Sequence, residues 1–417
     1  MTMQQRKGFP RHALAALLAT VLPLAAFAAG RIDLAASSGG YPVVDTGQSR
    51  CYDDRGEIAC PRPGEPFYGQ DAQHSGVRPT GNPARYFDRG DGTVTDLVTG
   101  LMWQQTPAYH LTFDQAVAAA GSVRTGGYDD WRLPSIKELY SLIDFDGVTG
   151  RTAGTSVPYL YTRVFDFEYG DESSGERFID AQYCSSTRYV GTTMGGNATV
   201  FGVNFADGRI KGYPIRTPDG REKAFDVRYV RGNPAYGVND FTDNGDGTIT
   251  DRATGLMWSR ADSGEGMNWE EALAWVGQRN AEGYLGYDDW RLPDAKELQS
   301  IVDYARAPDV TGSAAIDPLF EVSEIGTDEY PYFWTSTTHL EGPADVRGSH
   351  AVYIAFGRAQ GYMRIPPWSR RLRLLDVHGA GAQRSDPKSG DPGRWPNGRG
   401  PQGDVIRIFN YVRLVRG

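Results

Sequence analysis

Histidine and cysteine are sparse in this chain. The histidines beyond the first 28 residues, His74, His110, His339, His350 and His378, are scattered with no metal-ligand spacing. Cysteine occurs three times, at Cys51, Cys60 and Cys184. Two of these precede the repeated part of the chain, so no reactive cysteine pair of the formylglycine-generating kind can form within a repeat. No Gly-x-Ser-x-Gly, phosphate-binding loop or dinucleotide fingerprint is present. These absences leave no catalytic residue, metal ligand or cofactor to assign, and the expectation is a non-enzymatic protein. Basic charge is not in excess either: 43 Lys+Arg against 52 Asp+Glu give a formal −9, which argues against a nucleic-acid partner. Beyond the N-terminus no segment is apolar enough to span a bilayer. The remainder is ordinary globular composition, 40% hydrophobic and 23% charged, with 52 Gly and 25 Pro implying many loops and turns.

The N-terminus carries the compartment signal. Arg6, Lys7 and Arg11 precede an apolar Ala/Leu-rich stretch from Ala13 to Ala26, and Ala26-Phe27-Ala28 supplies a small-x-small cleavage site. Residues 1–28 are therefore expected to be a signal peptide. The alternative, an uncleaved anchor, meets a stretch of roughly 15 apolar residues where about 20 are needed. The mature chain is expected to be extracytoplasmic: periplasmic, on the cell surface or secreted. In an oxidising compartment Cys51 and Cys60 are the natural disulfide pair, because they bracket the polar turn Tyr52-Asp53-Asp54-Arg55-Gly56-Glu57. Residues 29–85 are rich in Gly, Pro and Ser and show no sustained period. They are expected to be an extended lead-in, either wrapped onto the domain behind it or acting as a spacer.

An internal duplication organises the rest. Gly90-Asp91-Gly92-Thr93-Val94-Thr95-Asp96 and Thr99-Gly100-Leu101-Met102-Trp103 return as Gly245-Asp246-Gly247-Thr248-Ile249-Thr250-Asp251 and Thr254-Gly255-Leu256-Met257-Trp258. Gly127-Tyr128-Asp129-Asp130-Trp131-Arg132-Leu133-Pro134 returns unchanged at 286–293, and Val227-Arg228-Tyr229-Val230-Arg231-Gly232 returns as Val412-Arg413-Leu414-Val415-Arg416-Gly417. So long a period means duplicated domains, 86–235 and 236–417, rather than a solenoid. Asp-Gly within an alternating run predicts an opening β-hairpin in each copy. Thr112/Gln115, Asn268/Glu271, Ser135/Glu138 and Asp294/Glu297 have capping-box spacing, which predicts two helices per copy. Phe113/Ala116/Val117 and Trp269/Ala272/Leu273 would supply the apolar stripes of the first pair. Long Gly-rich loops follow, then strands at 183–187, 198–205 and 227–231 and at 333–337, 351–356 and 412–415. This order predicts an α+β fold with helices on a mainly antiparallel sheet.

Cys184 stands where the second copy has Trp334, in Tyr-Cys-Ser-Ser-Thr against Phe-Trp-Thr-Ser-Thr. A position that holds Trp predicts a buried thiol; an intermolecular disulfide or a redox role is the alternative.

The paired Gly-Asp-Gly-Thr, Thr-Gly-Leu-Met-Trp, Asp-Asp-Trp-Arg-Leu-Pro and Val-Arg-x-Val-Arg-Gly motifs resemble those of the Lcl C-terminal domain family. That resemblance implies C-type-lectin-like domains. It also brings a namesake that is a trimeric surface adhesin binding sulfated glycosaminoglycans. This chain departs from the namesake in having two tandem domains and no collagen-like stalk.

Two acidic patterns invite chemistry. Asp-x-Gly-Asp-Gly resembles a calcium loop, but aligning Gly247 with the EF-hand glycine puts Thr242 and Ala253 at positions that need carboxylates. Asp129/Asp130 and Asp288/Asp289 are adjacent on extended chain and point to opposite sides, unsuited to joint action on one glycosidic bond. They are expected to cap turns or to pair with Arg132 and Arg291.

Charge is distributed unevenly. From Arg358 to Gly417 there are twelve Lys/Arg and four Asp/Glu. This stretch holds Arg364, Trp368, Arg370, Arg371 and Arg373, and an insertion specific to the second copy, Asp376 to Asp404, adds Arg384, Lys388, Arg394, Trp395 and Arg399. Guanidinium forks suit sulfate, phosphate and carboxylate, and indoles stack on sugars. These ten residues are the candidate ligand site for an anionic polysaccharide; the alternative is charge balance within the molecule. The rival function is an envelope structural or assembly module that binds another protein, and the third reading is an enzyme of unrecognised mechanism. Sequence assigns no oligomeric state.

Overall fold

The computed structural model describes residues 40–74, 85–217, 219–366 and 368–417; the signal-peptide reading of 1–28 lies outside them. The fold is α+β, with five α-helices and mainly antiparallel sheets among the described residues.

Each copy opens as its turn residues dictate. In the first, Tyr86–Asp88 pairs with Thr93–Asp96, then Leu101–Gln104, and Val230–Gly232 closes the sheet. In the second, Phe241–Asp243, Thr248–Asp251, Met257–Ser259 and Val415–Arg416 follow the same order. Registers coincide as well: Trp103 lies between Val94 and Val230, and Trp258 between Ile249 and Val415. Both indoles are fully buried. The turn aspartates hold their own loops. Asp91 Oδ1 accepts from Thr93 N and Oγ1 at 3.1 and 2.6 Å, and Asp246 Oδ1 accepts from the same atoms of Thr248 at 3.0 and 2.6 Å.

All four capping boxes form, starting the helices Phe113–Ala119, Ile136–Tyr140, Trp269–Ala281 and Ala295–Ser300. The first helix is short and buries only Phe113 and Ala116, which leaves Val117 exposed. The Asp-Asp-Trp-Arg motif pairs differently from expectation. Arg132 and Arg291 are taken by the helix-capping Glu138 and Glu297. The second aspartate instead meets the last arginine of its copy, Asp130 with Arg231 and Asp289 with Arg416, each at 2.6 Å. That arginine also lies over Tyr128 or Tyr287, 3.9 and 4.0 Å from the ring centroid. Sequence separation hid these pairs, because they close each copy end to end.

The two copies do not fold as independent bodies. One eight-stranded sheet runs through both, in the spatial order Tyr332–His339, His350–Ala355, Gln383–Pro387, Arg209–Pro214, Thr199–Asn204, Gln182–Arg188, Ala224–Val227, Ala108–Thr112. Its joint is Gln383–Pro387, a strand of the inserted segment. That strand pairs along its whole length with His350–Ala355 and meets the first copy through Gln383 and Ile210. A single apolar core contains Trp103, Leu139 and Phe201 of the first copy with Trp258, Leu298 and Phe356 of the second. The described residues accordingly pack as one unit.

The lead-in segment wraps both copies. Its Cys51–Cys60 disulfide closes a two-stranded hairpin. Gln48 bonds Phe145 O at 3.3 Å and Thr338 N and O at 2.8 Å each. Asp71 accepts from Thr46 at 2.8 Å and Thr337 at 2.5 Å. Cys184 is fully buried, and burial pushes its thiol up to about 12. Its counterpart Trp334 is equally buried and donates Nε1–H to Met267 O at 2.9 Å.

Candidate functional site: a basic cleft between the copies

Beside the joining strand the two copies enclose a cleft of about 820 Å³. Eight Lys/Arg line it against three Asp/Glu. The first copy contributes Arg177, Arg209, Lys211, Arg216 and Lys223; the second contributes Arg364, Arg384 and Arg399. The acids are Asp207, Glu341 and Asp404. Tyr213, Tyr353 and Trp368 supply aromatic surface.

The floor is a continuous ionic chain across the seam. Lys211 Nζ donates to Asp207 at 2.6 Å, and Asp207 lies 3.5 Å from Arg209. Arg209 donates to Glu341 of the other copy, which also meets Arg399 at 3.2 Å. Further along, Arg384 donates to Asp404, which His378 meets at 2.9 Å. Buried charges persist only when paired in this manner. Burial favours the neutral acids, yet Arg209 holds Glu341, and Arg384 holds Asp404, well below the usual carboxylate range. Burial also pushes His378 and His350 down to about 4 and His339 to about 3, so these histidines are neutral at pH 7. Lys211 is lowered by burial to about 8 and is still mostly charged there. Four cations thus face three anions on the floor, and the rim adds Arg177, Arg216, Lys223 and Arg364. The field in the cleft is positive.

Several cleft atoms are buried without a hydrogen-bond partner, among them Arg384 Nη1, a donor, and Asp207 Oδ1, an acceptor. A ligand that carries both anionic groups and hydroxyls satisfies both.

The ten sequence candidates separate in space. Arg364, Trp368, Arg384 and Arg399 line the cleft. Arg370, Arg371 and Arg373 are exposed on a neighbouring hairpin outside it, and Arg394 and Trp395 also lie outside. Lys388 is not available to a ligand. It is fully buried, with Nζ bonded to Tyr52 O and Asp53 O at 3.1 Å and Thr338 Oγ1 at 2.9 Å, and it sits 3.9 Å over the Trp269 ring. The insertion that carries it is a sheet strand with its flanks, and a lysine leaving that strand points into the disulfide-bearing segment. The whole first-copy wall escaped the sequence reading. Its signal is present in Arg209-Ile210-Lys211: alternate residues of a strand share a face, which places both cations on the cleft side.

The Lcl C-terminal domain model matches residues 92–231 and 247–374, together more than half of the chain. The second match stops where the inserted segment begins. No curated protein and no solved structure matches the chain. Shared motifs, equivalent registers and two family matches lead to one conclusion: the chain belongs to the Lcl C-terminal domain family and carries that domain in two tandem copies.

Proposed function

We propose that this is an extracytoplasmic, non-catalytic binding protein that takes an anionic polysaccharide in the cleft between its two copies. The observation that carries the reading is the cleft itself, where eight basic residues from both copies surround three paired acids. Guanidinium forks bind sulfate and carboxylate bidentately. The unpartnered Asp207 Oδ1 accepts a sugar hydroxyl. The Cys51–Cys60 disulfide supports an oxidising compartment, and no helix among the described residues is long and apolar enough to cross a membrane. The hairpin, two capped helices, long loops and returning strands of each copy support a C-type-lectin-like assignment for the repeat.

The test is a panel of sulfated and uronic-acid polysaccharides at low and moderate salt, with wild type beside Arg177→Ala/Arg216→Ala/Arg364→Ala. These rim side chains are exposed or half-buried, so the fold is expected to tolerate their loss. Salt-sensitive binding that the triple variant loses supports the cleft. Silence of the wild type across the panel ends the polysaccharide reading and favours a protein ligand for the same surface.

A further inference from the structure

A small hairpin of the second copy lies beside the cleft and carries an exposed tip. Gln360–Met363 and Arg373–Asp376 pair with each other outside the larger sheets, and the first strand also bridges Asp404 through Gly361. The base of this hairpin is anchored: Asp376 O accepts from Met194 N at 2.7 Å, and Asp376 Oδ2 accepts from Tyr189 OH at 2.7 Å. Its far end is free of such ties. Trp368 is 83% exposed, Leu372 38% and Leu374 44%. Arg370, Arg371 and Arg373 are exposed, and none forms an ion pair with a carboxylate among the described residues. Elsewhere in this acidic chain most arginines have such a partner, so three unpaired side by side stand out.

The pattern is amphipathic. Arg373 and Leu374 are adjacent on the strand and take opposite faces, and Arg371 and Leu372 repeat the pair just before it. A hydrated polysaccharide accounts for the arginines and the indole but gives the two leucines nothing to bury against. A bilayer interface accounts for all of them. Tryptophan and leucine settle at the headgroup–acyl boundary while guanidinium groups reach lipid phosphates.

We propose that the tip of this hairpin, through Trp368 and residues 370–374, docks this protein on an anionic lipid surface. The complementarity is local, since the chain's net −9 opposes such a surface. Because Met363, Arg364 and Ile365 also line the cleft, docking sets the cleft mouth against the membrane.

The experiment is co-sedimentation of the protein, purified as the cell processes it, with phosphatidylglycerol-containing or purely phosphatidylcholine vesicles at low and high salt. Wild type is expected to bind the anionic vesicles, to release at high salt and to leave neutral vesicles in solution. Each basic residue near such a surface contributes about fivefold, so Arg370→Ala/Arg371→Ala/Arg373→Ala is expected to weaken binding on the order of 100-fold. Trp368→Phe is expected to remove the blue shift of tryptophan emission that vesicles induce in wild type. Arg177→Ala/Arg216→Ala, which touches only the cleft rim, is expected to bind vesicles like wild type, so failure of the polysaccharide reading leaves this result standing. Equal binding of wild type and the triple-arginine variant overturns the proposal, as does equal binding to neutral vesicles. Loss of polysaccharide binding in the triple-arginine variant, with vesicle binding intact, also overturns it and makes the hairpin part of the glycan site.

Discussion

Lys137 and Lys296 make the same contact in opposite directions across the seam. Lys137 Nζ donates to Ser300 O at 2.6 Å, and Lys296 Nζ donates to Ser141 O at 3.1 Å. Each lysine heads the Lys-Glu-Leu of its helix, and each serine lies four residues after its own copy's lysine. The copies therefore meet as the subunits of an isologous dimer do, although one chain supplies both.

Burial lowers Lys137 to about 8 and Lys296 to about 7. Between these values and the unfolded lysine value near 10.4, the unfolded chain binds more protons than the folded one, so stability rises with pH through that window. Below about pH 7 both states are protonated and the benefit is absent. Unfolding free energy measured from pH 7 to 10 is expected to climb, with a slope contribution of up to about 1.4 kcal/mol per pH unit per lysine. Lys296→Met is expected to flatten that slope. An unchanged slope would show that the buried amine keeps its proton.

Two arginines three residues apart should respond very differently. Arg413 is fully buried and donates to Ser259 O, Arg260 O and Glu321 O at 2.8, 2.6 and 2.6 Å. Arg413→Met strands Ser259 O and Glu321 O, while Arg260 O keeps the Glu321 N–H at 2.9 Å, and is expected to cost about 3–5 kcal/mol in urea unfolding. Arg416 pairs with a half-exposed Asp289, and Arg416→Ala is expected to cost less than about 1 kcal/mol. Similar losses from both variants would contradict this division.

Lys388→Ala removes the only described donor shared by Tyr52 O, Asp53 O and Thr338 Oγ1. A loss of about 2–4 kcal/mol is expected, together with faster proteolysis around the Cys51–Cys60 hairpin. Deleting 376–404 outright removes the strand that joins the sheet and is expected to abolish folding, as read by circular dichroism and solubility.

Cys184 is expected to resist thiol reagents in the native protein and to react at once in denaturant, since both its burial and its raised pKa suppress the thiolate. Rapid native labelling would return the intermolecular-disulfide reading to consideration.

Local chemistry was legible to the extent that it is local. The Asp-Gly hairpins, the four capping boxes and the Cys51–Cys60 pair depend on residues at most ten apart, whose types are matched to one backbone geometry. The cleft was half legible. Its second-copy wall lies in a stretch of conspicuous charge, whereas Arg209 and Lys211 sit in an ordinary strand and matter only because Gln383–Pro387 comes to lie beside it.

Sequence by itself determined the duplication, the α+β element order, the secretory-type leader as an expectation and the membership in a family, because repeats and caps are written in consecutive residues. Tertiary structure alone decided that the copies share one core, that the inserted segment is a joining strand, and that Lys388 is buried while Trp368 is bare. Those outcomes depend on which distant backbone finds an unpaired sheet edge, and the free energy of that meeting is carried by hydrogen bonds and apolar contacts between residues hundreds of positions apart.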